Sequence, residues 1–394
     1  MELTDLQALE ARYVMPTYKR APVEFVRGDG ARLWDADGKE YLDFLAGISV
    51  CSVGHCHPAV VEAVREQAEC LIHVSNLFHS EPSVRLAERL CESSLGGKAF
   101  FTNSGTEANE CAIKLARKHA HRRGIDGPEI VTLERAFHGR TMGSLAATPG
   151  MASNPDFAPM LAGFRSVPID DLGALRGAVG PSTAAVMVEP ILGEAGVYPV
   201  PEATLVAARD ACDEAGALLI CDEIQSGMGR TGSLWAYEQT PLRPDVITTA
   251  KALGGGLPIG ACVASPDLAD VLQPGDHGST FAGGPLIATA ALAVLEIVDD
   301  PDLLDRVRDL GAGLSRQLGA IDGVREVRGR GLMIGIGLEE GIEAREVTAS
   351  ALEAGLVVNA PEPSTLRLLP PLIVSEPEIE LALGTLRTAI GANR

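Results

Sequence analysis

The sequence predicts an α/β protein: a large domain around a mostly parallel sheet, joined to a smaller α+β domain. Between about residues 98 and 253, short apolar runs alternate with helical segments, which is the pattern of a parallel sheet covered on both faces. After Pro285 the order becomes two long helical stretches followed by strand, strand, helix, strand, strand, helix, the grammar of a compact α+β unit. The chain has 394 residues, 46% of them hydrophobic and 22% charged, which is globular and long enough for two domains.

In chain order, MELTDLQALEARY reads as an acidic helix. Val23–Gly47 alternates short β-prone runs with Gly-Asp-Gly and Asp-Gly turn signals and predicts a meander of edge strands. Helices are predicted at His57–Val74 and Glu81–Ser94 from apolar residues at helical spacing. Lys98–Gly105 then leads into the helix Thr106–Ala120. Further strands are expected within Glu129–Phe137, Thr183–Ile191, Ala217–Ile224 and Asp245–Leu253, with a helix at Leu205–Gly216. The two long carboxy-terminal helices are Pro285–Asp300 and Asp302–Ile321, and a last helix begins at Glu376. The meander holds too little helix for a domain of its own. The expected division is therefore a segment at 1–60 packing on the small domain, a large ligand-binding domain at 61–285 and a small domain at 286–394.

A formal net charge of −20 argues against a grip on nucleic acid through basic patches, so small anions need a local basic pocket. The eight cysteines are scattered among apolar or helical neighbours, the usage of free thiols in a reducing compartment. Cys51–His57 (CSVGHCH) packs four soft ligands into seven residues but lacks the paired spacing of structural zinc, and no metal is expected. The start resembles no signal peptide, and no apolar run reaches the ~18 residues of a membrane span. A cytoplasmic protein is expected.

Arginine dominates the 33 basic residues: there are six lysines, and Lys251 is the only one beyond Lys118. It follows an apolar strand and precedes a glycine cluster (ITTAKALGGGLPIGA), so it reads either as a Schiff-base lysine approached by a ligand or as a lysine reaching the surface. Asp222, after five strand residues in ALLICDEIQ, stands where open α/β sheets bind ligands. A protonated ring nitrogen would answer its charge, and a helix cap is the plainer reading. In FFTNSGTEANE a strand meets a helix through Ser104, Gly105 and Thr106, a place where free backbone N–H groups meet an anion, or simply a cap. Phe137 and His138 end another strand beside a glycine, where an aromatic ring can stack on a flat cofactor or fill the core.

Together these segments resemble the class-III aminotransferases. Leu218–Ala261 looks like the family signature, and SGTEANE, FHGR, VEPILGEAGV, DEIQ, AKALGGG, HGST and LRLLPPL occur in the family's order over nearly the whole chain. The resemblance implies fold type I of the pyridoxal-phosphate transferases, like aspartate aminotransferase, and pyridoxal 5′-phosphate as cofactor. It assigns Lys251 to the covalent link, Asp222 to the ring nitrogen, Gln225 to the ring hydroxyl, and Ser104, Gly105 and Thr106 to the phosphate. Phe137 would lie on the ring with His138 beside it. Thr280 would complete the phosphate site of a neighbouring subunit, with Ser279 near the substrate, which implies a homodimer with shared active sites.

VRGDGARLWDADGKEYLDFLAGISVCSVGHCHP and FHGRTMGSLAAT look most like the branch that acts on N-acetylornithine and 2-oxoglutarate in arginine biosynthesis. The ornithine δ-aminotransferase and succinylornithine branches are similar, and a racemase or aminomutase or a non-catalytic cofactor binder on the same scaffold is the competing class. By the resemblance, Arg140 holds the α-carboxylate of acetylornithine and the side-chain carboxylate of glutamate, while Arg367 holds glutamate's α-carboxylate. Glu194 covers Arg367 while the amine substrate is bound, and Tyr18 lines the far end of the pocket. Two departures stand out. FAGGP (Phe281–Pro285) replaces the family's usual tyrosine, two glycines and asparagine, and APEPSTLRL is short before Arg367.

Overall fold

The computed structural model describes residues 1–394. The predicted meander forms β1 (Phe25–Asp29), β2 (Arg32–Asp35) and β3 (Glu40–Asp43). The turn after it is unusual: Ala46, Gly47, Ile48 and Ser49 all take positive φ, between 49° and 66°. Left-handed backbone costs ~1–2 kcal/mol per non-glycine residue, so the run needs fixing from outside. Asp43 Oδ1 accepts from the N–H groups of Leu45 and Ala46 at its start, and Arg230 Nε donates to Ser49 Oγ at 2.9 Å.

Arg230 does more than hold that turn. Its guanidinium is fully buried and donates to Ser52 Oγ and to the carbonyls of Leu332 and Pro370, so one side chain ties the amino-terminal, central and carboxy-terminal parts of the chain together.

The central strands are β4 (Lys98–Thr102), β5 (Glu129–Leu133), β6 (Phe164–Val167) and β7 (Thr183–Val188). A small hairpin follows, β8 (Ile191–Leu192) with β9 (Tyr198–Pro199), and then β10 (Leu218–Asp222), β11 (Val246–Thr249) and β12 (Gly260–Ala264). Seven of them form one sheet in the order β4-β12-β11-β10-β7-β5-β6, with β12 antiparallel to both neighbours and the other pairings parallel. Every residue of β7, β10, β11 and β12 is buried, as expected for strands covered on both faces.

The helix Gly105–Arg122 presses Ala108, Cys111, Ala112, Leu115 and Ala116 onto this sheet. Their i, i+3, i+4, i+7, i+8 spacing makes one apolar stripe, and the small alanines allow close approach.

The carboxy-terminal strands are β13 (Val324–Arg330), β14 (Met333–Leu338), β15 (Leu356–Val357), β16 (Asn359–Glu362) and β17 (Thr365–Leu368). Four of them make the sheet β13-β14-β17-β16, while β15 runs parallel to β3 and extends the amino-terminal meander. The long helices are Pro285–Val298 and Pro301–Gly319, the second capped by Asp300, whose carboxylate accepts from Asp302 N–H at 2.9 Å. Pro301, which cannot continue a helix but suits its first turn, sets the break between the two.

Candidate active site

The chemistry-bearing side chains gather at the carboxyl edge of the central sheet because parallel strands deliver their ends to one side. Asn103 and Ser104 follow β4, Phe137–Arg140 follow β5, Glu189 follows β7, Asp222 ends β10 and Lys251 follows β11. They line a cavity of about 420 Å³, closed by Val50 and by Gly256, Leu257, Pro258 and Ile259.

Asp222 sits at the bottom, 3% exposed. Oδ2 accepts from Asn109 Nδ2 and from His138 Nδ1, each at 2.8 Å, and Oδ1 accepts from Ile224 N–H at 3.1 Å. No helix follows it, so the cap reading falls. His138 lines the cavity beside Phe137, its side chain buried behind Asp222 and bonded to that carboxylate. Burial opposes the imidazolium, yet the hydrogen bond and charge of Asp222 outweigh it and raise His138 above the ordinary histidine range.

Lys251 opens a short turn with φ 45°, a left-handed conformation that a non-glycine residue rarely holds without tertiary support. Burial lowers the pKa of its amine. Arg367 adds to that, while Glu194, Asp222 and Glu189 pull the other way. The net shift is downward, toward the neutral form that proton transfer or covalent attachment requires.

The anion cradle is the start of the helix Gly105–Arg122. Ser104 Oγ accepts from Glu107 N–H, so the capping role is real, while the N–H groups of Gly105 and Thr106 find no acceptor within the protein. Gly105 is required here: a Cβ would meet Ile224 at 2.8 Å. Thr106 Oγ1 accepts from the N–H groups of Arg140 and Thr141, pinning the FHGR segment beside the cradle. Free N–H groups at the amino end of an 18-residue helix fit a phosphate, and Asp222 at the floor fits a protonated ring nitrogen. The donor set therefore suits pyridoxal 5′-phosphate, with Phe137 on the cavity wall for its ring.

At one side Arg367, on β17, is fully buried. Nη1 donates to Glu194 Oε1 at 2.6 Å and to Gln225 Oε1 at 3.0 Å, and Nη2 is buried without a partner. Burial alone would raise the Glu194 carboxyl, but Arg367, with smaller help from Lys251 and Gln225, holds it below the ordinary range. Gln225 lines the cavity with its amide committed to Glu194 and Arg367. Arg140 lines the cavity from the FHGR segment, its guanidinium 5.5 Å from the centre of the Phe137 ring.

Three expected residues do not line this subunit's cavity, and of these Thr280 is the one that the resemblance assigns to a neighbouring subunit. Tyr18 is 76% exposed on the irregular segment before β1, with Arg20 over its ring, and does not reach the cavity. Ser279 and Thr280 lie on a loop outside their own subunit's cavity, which Asn76 fixes through the Ser279 and Ala282 carbonyls; Ser279 Oγ accepts from Asn103 Nδ2. Gly284 is an ordinary residue at the start of the helix Pro285–Val298, and Gly283 takes the positive φ.

Two residues were missed by the sequence reading. Asn109 lies on the buried helix face and bridges Asp222 to Thr248. Glu189 is buried, and accepts from Phe137 N–H at 2.9 Å and Gly193 N–H at 3.2 Å; burial pushes its carboxyl up to about 7 although His138 opposes this. Its signal was available: like Asp222, it is a carboxylate directly after a run of apolar strand residues.

A family model described as aminotransferase class-III matches residues 13–390. The acetylornithine aminotransferase of Caldanaerobacter subterraneus subsp. tengcongensis is 48% identical over 381 residues, 95% of this chain and 96% of that protein. Among solved structures, an ornithine aminotransferase from Toxoplasma gondii with PLP in partial occupancy at its active site superposes with a TM-score of 0.94 at 35% identity, covering 100% of this chain and 95% of that one. An acetylornithine aminotransferase from Elizabethkingia anophelis gives a TM-score of 0.88 at 32% identity, covering 100% of both chains. The chain belongs to the class-III aminotransferases, enzymes that work with pyridoxal 5′-phosphate.

Proposed function

We propose that the protein transfers the side-chain amino group of N-acetyl-L-ornithine to 2-oxoglutarate, giving N-acetyl-L-glutamate 5-semialdehyde and L-glutamate, a step of arginine biosynthesis. The observation that carries this reading is a pair of guanidinium groups: Arg140 on the cavity wall, and Arg367 behind it, bonded to the lining residue Gln225 and covered by Glu194. An amine substrate that reacts at its far end needs one carboxylate receptor; glutamate, reacting at its α-amine, needs two. The unpartnered Nη2 of Arg367 leaves that side chain one acceptor short, which suits a bidentate carboxylate once Glu194 moves aside.

When bound, the cofactor supplies a conjugated ring that takes up the electron pair left on the substrate carbon. The protein does the rest. Gly105 and Thr106 would hold the phosphate, Phe137 would face the ring, and Asp222, steadied by His138 and Asn109, would favour a protonated ring nitrogen. Lys251 Nζ carries the proton away from the substrate carbon and returns it later. Arg140 fixes the distal carboxylate, so that the reacting carbon stands within reach of that amine.

The same reading makes the working unit a homodimer. Leu77, Phe78 and Phe281 are 87%, 67% and 68% exposed around the loop that bears Thr280, a patch of the kind that marks an interface. A second copy seated there would bring Ser279 and Thr280 to its own cavity. No helix is long and apolar enough to cross a membrane, and the eight free thiols suit a cytoplasmic setting.

The test is a panel of kcat/KM values for acetylornithine, succinylornithine, ornithine, γ-aminobutyrate and lysine, with 2-oxoglutarate as acceptor. Acetylornithine is expected to lead. A lead for ornithine would replace this substrate, and failure of glutamate to change the cofactor's absorbance would remove the glutamate half-reaction.

A further inference from the structure

Glu194 sits in the short loop 193–197 between β8 and β9, and the backbone on both sides of it is tied down. The Gly193 N–H donates to Glu189 Oε2 at 3.2 Å, and the Gly193 carbonyl accepts from Arg367 Nη1 at 3.2 Å. Arg135, just after β5, donates Nη2 to the Ala195 carbonyl at 2.6 Å. Arg328, on β13, donates Nε and Nη2 to the Gly196 carbonyl at 3.2 and 2.9 Å. Val197 closes the loop with φ 60°, a conformation that a β-branched residue holds only when its surroundings impose it.

One ring joins the two arginines. The guanidinium carbons of Arg135 and Arg328 lie 4.7 and 3.9 Å from the centre of the Tyr198 ring, on the first residue of β9. Arg135 is anchored further by Glu362 Oε1 at 2.6 Å, and Arg328 by Thr365 Oγ1 at 3.1 Å. Thr365 shares β17 with Arg367, so one strand supplies both the covered guanidinium and an anchor of the loop that covers it. Packing agrees: Gly335 pairs with Arg367 in the β14–β17 register, and a Cβ there would collide with the Gly196 carbonyl oxygen.

We propose that Arg135, Tyr198 and Arg328 form a clamp that fixes the Glu194 loop against Arg367 and so sets the preference between the amine substrate and glutamate, an inference that rests on the reading of Glu194 as the movable cover of Arg367. With its backbone fixed, Glu194 leaves Arg367 by turning its side chain, not by opening the loop. A loosened loop lets the carboxylate drift from Nη1 and leaves Arg367 open to a substrate carboxylate more of the time. The three are positioning residues, since none of them lines the cavity. Arg328 is the better shielded arginine, its side chain 7% exposed, and a guanidinium held over a ring away from water is held more firmly.

The experiment uses the cofactor-loaded full chain and reads the ratio of kcat/KM for acetylornithine to that for glutamate. Arg135→Met, Arg328→Met, Tyr198→Leu and Tyr198→Phe are compared, each with and without Glu194→Gln. Loss of either arginine, or of the ring, is expected to lower the ratio by about threefold or more, through KM with kcat little changed, and to speed deuterium exchange at the backbone amides of the 193–197 loop. Tyr198→Phe keeps the ring and is expected to match the unaltered protein. In the Glu194→Gln background the clamp variants are expected to move the ratio no further. An unmoved ratio in Arg135→Met, at a side chain 46% exposed, overturns the proposal whether or not Arg328→Met folds. An equal fall in the Glu194→Gln background also overturns it. Glu194→Gln alone tells the two readings apart: if it moves the ratio while the clamp variants do not, the clamp falls and the cover stands; if it does not, the cover falls and the clamp with it.

Discussion

Glu194 Oε1 stands 2.6 Å from Arg367 Nη1, and the guanidinium is entirely buried while the Glu194 side chain is 35% exposed. The carboxylate is the part of the pair that can leave. A charged hydrogen bond of this kind contributes about 1.5–3 kcal/mol, so Glu194→Gln should raise kcat/KM for glutamate several-fold and lower that for acetylornithine by about tenfold. Unchanged kinetics with both substrates would remove Glu194 as the selector.

Arg140 lines the cavity with no acidic partner to displace, which suits the shared carboxylate role proposed for it. Arg140→Ala is therefore expected to raise KM for both acetylornithine and glutamate by about tenfold, ~1.4 kcal/mol, with little change in thermal unfolding because the side chain is exposed. Steady-state kinetics that show a defect with one substrate alone would contradict the shared role.

Asp222 is held by His138 from behind, so its orientation should depend on that bond. His138→Leu is expected to weaken cofactor binding by about tenfold or more, measured by absorbance titration. His138→Asn, whose amide N–H can replace Nδ1–H, should recover part of it. Equal binding in both variants would show that burial alone orients Asp222.

The His55–Asp43 pair carries a pH dependence with a definite sign. His55 is raised from an unfolded value near 6.5 to about 10, so its contribution to stability is fully present below pH 6.5 and is lost as pH rises through 10. The difference in melting temperature between the unaltered protein and Asp43→Asn should be larger at pH 6 than at pH 10.5. A difference independent of pH would mean that Asp43 acts only through the Leu45 and Ala46 N–H groups.

Exposed Leu77 and Phe78 lie next to the Thr280 loop. Replacing both by aspartate should give a lower molecular mass by light scattering, with transaminase activity falling in parallel. Full activity in a monomer would separate Thr280 from the cofactor site.

The strands, the helix after Ser104 and the residues that end each strand were legible in the sequence, because apolar period and glycine placement are local properties. So were Lys251 and Asp222, whose charges stand at the ends of apolar runs. For Tyr18, exposed in the single chain, no local pattern says whether an irregular segment folds over a cavity or away from it. That the His138 ring bonds Asp222 was not legible, since its sequence neighbours do not show which strand end lies across from it. Only the tertiary structure decided that Arg367 is covered by Glu194 across 173 positions, that Arg230 joins three parts of the chain, and that His55 meets Asp43. These relationships depend on which strand ends and turns meet in space, and a buried charge takes its partner from whatever the packing brings within hydrogen-bond distance.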